Sequence, residues 1–252
     1  MKLTATVITL NEERNIERCI TSLIGVADEI IVLDAHSTDA TCELAEKAGA
    51  IVRERDWEGY AQSKNYLNGL ASHTYILSID ADEALDEALK ADILKAKEVG
   101  FSGAYSVNRL TNYCGRWIRH SGWYPDVKVR LFPKEETHWS GKYVHEELEL
   151  PKGCSVKQLN GHLLHYSYYN QQEHRARADQ YSALTAKKMH AKGKKAGALK
   201  PYLSAFGRFF SMFFLKLGFL DGRAGWNIAT ISAASNVFKY KELRRIHREQ
   251  SQ

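Results

Sequence analysis

The first hundred residues alternate apolar runs with segments of helical periodicity, and this alternation restricts the fold more than any other feature of the sequence. Residues 3–10, 29–33, 50–53 and 74–79 read as strands, and 12–24, 38–48 and 60–71 read as helices between them. Strand–helix–strand repetition at this spacing builds right-handed crossovers and a parallel sheet. Ligands of such sheets sit beyond the carboxyl ends of the strands. That rule places Asn11 and Glu12, the loop 34–39 and the segment 80–83 along one rim.

The last of these, in YILSIDADEAL (75–85), sets three acids at the exit of an apolar strand. Alternate side chains of an extended chain share a face, so Asp80 and Asp82 point the same way and repel each other. A bound divalent cation would offset that repulsion. Hard oxygen ligands on one face suit Mg²⁺ or Mn²⁺, which complete their shells with waters and substrate phosphates. The competing explanation is a helix N-terminus, where the dipole favours acids. Glu83 and Asp86, at the start of a helix expected over 83–99, fit that explanation, and Asp80 and Asp82 fit it less well.

Beyond Gly100 the pattern changes. Short strands over 104–109, 127–132, 144–150 and 162–168 suggest an antiparallel extension of the sheet, rich in aromatics and in histidines such as His120, His138 and His145. From Asn170 the chain reads as helical, with a basic linker, KKMHAKGKKAGALK, before the last two helices. The charge follows this division. Residues 1–150 hold 17 Lys and Arg against 25 Asp and Glu, whereas 151–252 hold 18 against 5. A basic third suggests an anionic partner, either nucleic acid or a membrane surface, unless it is simply a solvated face. No RNP1 or helix-turn-helix pattern accompanies it, so no nucleic-acid partner is expected, and a non-catalytic nucleotide- or nucleic-acid-binding protein is the less favoured alternative.

Leu203, Phe206, Phe209, Phe210, Phe213, Phe214 and Leu217 fall at helical spacing on one broad face. Arg208 and Lys216 interrupt the run, so a membrane-spanning helix is not expected. Two readings remain: a core helix, or a helix lying in the membrane interface. The four cysteines lack metal-ligand spacing and read as free thiols in a reducing cytoplasm. No signal peptide is expected at the N-terminus.

TATVITLNEERNIERCI, EIIVLDAHSTDATCELAEKAGA, QSKNYLNGLA and YILSIDADEAL, in that order, resemble the nucleotide-sugar half of the family-two GT-A glycosyltransferases. WYPDVKVRLF, GKYVHEEL, HYSY and GFLDGRAGW extend the resemblance to bacterial lipopolysaccharide-core β-1,4-glucosyltransferases over nearly the whole chain. The resemblance implies an α/β fold of GT-A type, a mixed sheet flanked by helices. Residues 1–169 would form the catalytic domain (1–100 binding the nucleotide-sugar, 101–169 supplying acceptor-side strands), and 170–252 a basic helical region.

It also implies an inverting, metal-dependent hexosyltransferase that uses a UDP-sugar and Mg²⁺ or Mn²⁺. The glucose donor has UDP-GlcNAc, UDP-galactose and a GDP-sugar as alternatives, and the lipid-linked saccharide acceptor has a polysaccharide or a peptide. The enzyme would be cytoplasmic, peripheral to the inner membrane. Leu10, Asn11, Glu12, Asp34, Lys64 and Asp80 would hold the nucleotide-sugar, with Asp39 in the same loop or serving a helix start. Asp82 would ligate the metal, with His165 either a further ligand or a core histidine. Glu146 or its neighbour Glu147 would be the base, the familiar His-Glu pattern favouring Glu146. Trp123, Tyr124 and Asp126 would form an acceptor or sugar platform.

Overall fold

The computed structural model describes residues 1–141 and 146–249. His145, and the start of the strand expected over 144–150, lie outside the described residues. The chain divides into two compact units. The first comprises Met1–Leu110 and Asp126–Tyr166, and the second Thr111–Pro125 and Ser167–Gln252.

In the first unit β1 (Leu3–Thr9), β2 (Glu29–Asp34), β3 (Ile51–Glu54) and β4 (Tyr75–Asp80) form the parallel part of the sheet. They alternate with α1 (Ile16–Leu23), α2 (Thr41–Lys47) and α3 (Tyr60–Leu70). Every residue of β1 is buried, Thr4, Thr6 and Thr9 included, as are the first five of β4. On α1, Ile16, Cys19, Ile20 and Leu23 turn one apolar face into the core that also takes Val7, Val32 and Ile79.

The antiparallel extension consists of β6 (Ala104–Tyr113), β8 (Asp126–Pro133) and β11 (Val156–Tyr168), with β7 (Arg116–Trp117) paired to the end of β6. The sheet runs in the order β3-β2-β1-β4-β8-β6-β11-β5, where β5 is Glu83–Leu85. A separate two-stranded sheet pairs β9 (His138–Ser140) with β10 (Glu147–Glu149).

β5 corrects the sequence reading. The helix expected over 83–99 begins four residues later, as α4 (Glu87–Val99), and Glu83 does not sit at a helix start. Asp86 is the cap, its extended backbone letting Oδ1 accept a 2.8 Å hydrogen bond from the Leu89 N–H. The three residues before it pair antiparallel with β11, which sets His165 opposite Glu83. At Gly161 of β11 (φ 91°), a side chain would collide with the Leu89 amide.

In the second unit α5 (Gln171–Ala191) continues through the first five residues of the basic stretch read as a linker. α6 (Lys200–Phe210) runs into a π-helical turn at Ser211–Leu215, and a 3₁₀ turn at Gly218–Asp221 leads to α7 (Gly222–Glu249). Tyr113, Ile118, Met212, Ala224, Ile228 and Ala229 are its core, with Trp123, Tyr168, Phe209 and Phe213 packed against them. Asp221 is 2% exposed, and its carboxylate accepts from the Arg119 and His120 amides and the Ser121 hydroxyl at 3.0–3.2 Å.

The core-helix reading of 203–217 holds for part of the stripe only, since Phe209 and Phe213 pack against the core of the second unit. Leu203, Phe206, Phe210, Phe214 and Leu217 are exposed, and Met212 is the side chain buried there. Among the described residues no single helix is long and apolar enough to cross a membrane. The segments Lys200–Leu215 and Gly218–Glu249 reach that threshold only together, bent by 72°.

Candidate active site

Two loops at the carboxyl ends of β1 and β2 are stitched together by side chains. Asn11 occupies the left-handed region (φ 53°), which asparagine tolerates. From there its Oδ1 accepts from the Thr38 amide at 2.8 Å, and its own N–H donates to Ser37 Oγ at 2.7 Å. Glu12 donates its N–H to Thr41 Oγ1 at 2.8 Å, while Leu10 stays exposed. Asp34 is fully buried and accepts from the Ser37 amide at 2.6 Å and the Ser37 hydroxyl at 2.5 Å. Asp39 accepts from the Thr41 amide and hydroxyl and from the Glu13 amide. Against a modest burial penalty, those donors hold its carboxyl below the usual carboxylate range.

At the end of β4 the acids meet cations carried by other elements. Arg130 of β8, 4% exposed, donates from Nη2 to Glu83 Oε1 at 2.6 Å and to Asp80 Oδ2 at 2.8 Å. Glu83, 1% exposed, also accepts from the Asp80 amide at 3.0 Å and closes the turn between the two acids. Arg109 of β6 lies 3.3 Å from Glu83 and grips Asp126 through Nε and Nη2 at 2.8 and 2.7 Å. Lys128 reaches the other oxygen of Asp126 at 3.0 Å.

Lys64 of α3 is also buried. Its Nζ lies 3.1 Å from Asp80 Oδ1, 3.5 Å from Glu146 Oε1 and 4.6 Å from the ring centre of Trp139. The Asp80 oxygen is close to Lys64 but has no aligned hydrogen-bond donor among the described residues. Burial opposes ionisation of Asp80, yet Arg130 and Lys64 outweigh it and drive its pKa well down.

Asp82 differs from its neighbours. Among the described residues no Lys or Arg lies within ion-pair distance of it, and its partner is His165, with Nε2 3.2 Å from Oδ2. Burial works against ionisation of Asp82 too, and the contact with His165 overcomes it, so its pKa is lowered. Its carbonyl accepts from the Tyr166 amide at 2.8 Å, fixing the loop against β11. Two donors in adjacent positions of an octahedral ion, each about 2.1 Å from it, would be about 3.0 Å apart. The spacing and the mixed carboxylate–imidazole character of Asp82 and His165 therefore fit a divalent cation.

The structure thus brings Lys64, Asp80, Asp82, Glu146 and His165 into one cluster and joins Asp126 to it through Arg109. Of the two glutamates, Glu146 faces Lys64, whereas Glu147 is exposed on β10, opposite Ser140. Trp123 and Tyr124 belong to the second unit. Trp123 packs at 5.6–5.8 Å between ring centres against Tyr113, Tyr168 and His174, and Tyr124 has the Arg119 guanidinium 5.8 Å from its ring centre. His174 is a buried core histidine, its pKa pushed down to about 4 by burial and by Arg177.

Sequence reasoning missed Arg109 and Arg130 and misplaced Glu83. The available signal was VKVRLF, where Arg130 stands next to the buried Leu131 and Phe132 and therefore needs buried anionic partners.

The family model described as Glycosyl transferase family 2 matches residues 4–155, which include every member of the rim cluster except His165. The chain belongs to glycosyl transferase family 2. An uncharacterized glycosyltransferase of Rickettsia bellii is 29% identical over 262 residues, covering 97% of this chain and 87% of its own. The lipopolysaccharide core biosynthesis glycosyltransferase LpsC of Rhizobium meliloti is 31% identical over 238 residues, 88% of this chain and 82% of its own. Among solved structures, TarS 1–349 of S. aureus in complex with UDP-GlcNAc aligns over 99% of this chain and 92% of its own, with 15% identity and a TM-score of 0.49.

Replacing Arg130 by leucine would leave the buried Glu83 with Arg109 as its remaining cationic partner. Loss of one partner of a buried pair costs about 3–5 kcal/mol, so Arg130→Leu is expected to lower the melting temperature by roughly 10 °C; calorimetry measures it. Asp80 and Asp82 have folded-state pKa values below the unfolded value of about 3.9. Their contribution to stability is present above that pH and is lost as pH falls below it. Melting temperatures recorded between pH 7 and 2.5 should drop steeply below about pH 4, and less steeply in Asp80→Asn.

Proposed function

We propose that this protein is an inverting hexosyltransferase that moves glucose from UDP-glucose to a lipid-linked saccharide of the lipopolysaccharide-core type. The observation that carries this reading is the rim cluster. Asp80, Lys64 and Glu146 lie in one ion-paired line, and Asp82 is left to face His165. The likeness to LpsC supports the acceptor class.

In this reading Asn11, Glu12 and the neighbouring Leu10 line the nucleotide site, whose shape is fixed by Asp34 through Ser37. Asp34 itself is fully buried and is assigned to the uridine side of the site through the loop it holds. Asp80, paired with Arg130 and Lys64, is assigned to the ribose side of that site. Asp82 and His165 would hold Mg²⁺ or Mn²⁺ against the diphosphate, where the cation stabilises negative charge on departing UDP.

Glu146 would accept the proton of the acceptor hydroxyl as that oxygen attacks the anomeric carbon from the face opposite UDP. The new carbon–oxygen bond forms as the bond to the diphosphate breaks. Lys64 lies within ion-pair distance of both Asp80 and Glu146 and would position the base. Trp123, Tyr124 and Asp126 are assigned to the acceptor side. The basic second unit would hold the enzyme on the cytoplasmic face of an anionic inner membrane.

Thermal shift with a panel of nucleotide-sugars and Mn²⁺ identifies the donor, since a bound ligand raises stability by mass action. UDP affinity should rise at least tenfold on adding Mn²⁺, and Asp82→Ala should remove that gain. UDP binding indifferent both to the metal and to Asp82→Ala would overturn the metal assignment. Glu146→Gln should lower the transfer rate by 10²-fold or more while leaving UDP affinity unchanged. A variant with full activity would remove Glu146 from the mechanism.

A further inference from the structure

We infer that α6, the π-helical turn after it and the start of α7 form a wedge that enters the headgroup region of an anionic phospholipid bilayer without crossing it. This inference rests on the proposed function only for the expectation of a membrane-borne acceptor, and deepens it by assigning the contact to particular residues.

Leu199, Leu203, Phe206 and Leu215 are 67–72% exposed, and Tyr202, Phe210, Phe214, Phe219, Leu220 and Trp226 are 43–59% exposed. The rings form a connected layer, with Phe206 on Phe210 at 6.3 Å, Phe210 on Phe214 at 5.2 Å and Phe209 on Trp226 at 5.3 Å. Single exposed apolar side chains are ordinary, but a continuous aromatic layer of this extent marks a contact surface.

Charge decides between occupants. From Lys192 to Trp226 the chain carries seven Lys and Arg and one acid, Asp221. That acid is buried and committed to the 119–121 loop. Lys200, Arg208, Lys216 and Arg223 are exposed among the apolar side chains, and among the described residues none has a carboxylate within ion-pair distance. A second copy docked by the same face would bring these cations against their equivalents, and like charges repel. A nucleic acid would take the cations and leave the Phe and Leu in water. An anionic bilayer satisfies both, with apolar side chains entering the acyl boundary while Lys and Arg stems reach back to the phosphates.

The backbone fits a shallow position. The π-helical turn, Leu217 in the left-handed region (φ 53°) and the 3₁₀ turn bend the path by 72°. The apolar surface is thus folded into a short, blunt shape instead of a straight span of roughly 20 residues.

Co-sedimentation of the full chain with vesicles tests this. The protein should pellet with phosphatidylcholine vesicles that contain phosphatidylglycerol, and far less with phosphatidylcholine alone. The exposed-site variant Phe206→Asp/Leu215→Asp should lower partitioning at least tenfold. Lys200→Gln/Lys216→Gln should lower it roughly 25-fold on the anionic vesicles only, at about fivefold per cation near the surface. Protein that stays in the supernatant with anionic vesicles would overturn the inference. So would partitioning unchanged by both double variants, or a dimer in sedimentation velocity that Phe206→Asp/Leu215→Asp dissociates without any vesicle binding. Mn²⁺-dependent UDP binding on the same samples separates the two readings. Its loss with vesicle binding intact supports the wedge and counts against the transferase site alone.

Discussion

A single buried guanidinium makes the acidic rim possible. Arg130 reaches Glu83 and Asp80 from the neighbouring antiparallel strand, and Glu83 in turn holds the Asp80 amide. Without that cation, three carboxylates at the end of β4 would repel one another in a poorly solvated place, and the turn between Asp80 and Glu83 would lose its closure. The antiparallel extension is therefore more than a cover for the sheet. Its strands β8 and β6 deliver Arg130 and Arg109, which neutralise the structural acid, while Asp82 has no Lys or Arg within ion-pair distance among the described residues.

Much of this was legible in the sequence. The four parallel strands are found within about one residue of their expected bounds: β1, β2 and β4 are buried and rich in apolar and β-branched residues, while the short edge strand β3 is mostly exposed. The rim positions followed from topology, since the carboxyl ends of β1, β2 and β4 share an edge. Glu83 was not legible. An acid before an amphipathic stretch looks the same whether it opens a helix or occupies a three-residue strand, and only pairing with β11, some eighty residues on, tells them apart. Arg109 looks like an ordinary polar position of an alternating strand, and Arg130 is set apart only by the apolar Leu131 and Phe132 that follow it. The aromatic stripe of the last third was visible as periodicity, but periodicity reports which residues share a face and not what covers it. The basic stretch 187–191 joined α5 because Lys, Met and Ala are good helix formers, whatever their charge.

The family model ends at residue 155, shortly before β11 brings His165 to the cluster. The likeness to the Rickettsia bellii protein continues well past that limit, over 97% of the chain. That likeness therefore extends into 167–252, the part of the second unit that lies beyond the family model.

The hydrogen bonds of Asp221 join it to residues about a hundred positions earlier in the chain. The segment Thr111–Pro125 is therefore made long before the aspartate that fixes it. Loop-closure entropy must be met before such distant contacts contribute, so they form late and slowly. During synthesis from the N-terminus, the parallel strands can assemble while 111–125 still lacks its anchor. The second unit becomes complete only once nearly all of the polypeptide has emerged, so the contacts of the aromatic layer with α7 also come last in the birth of the molecule.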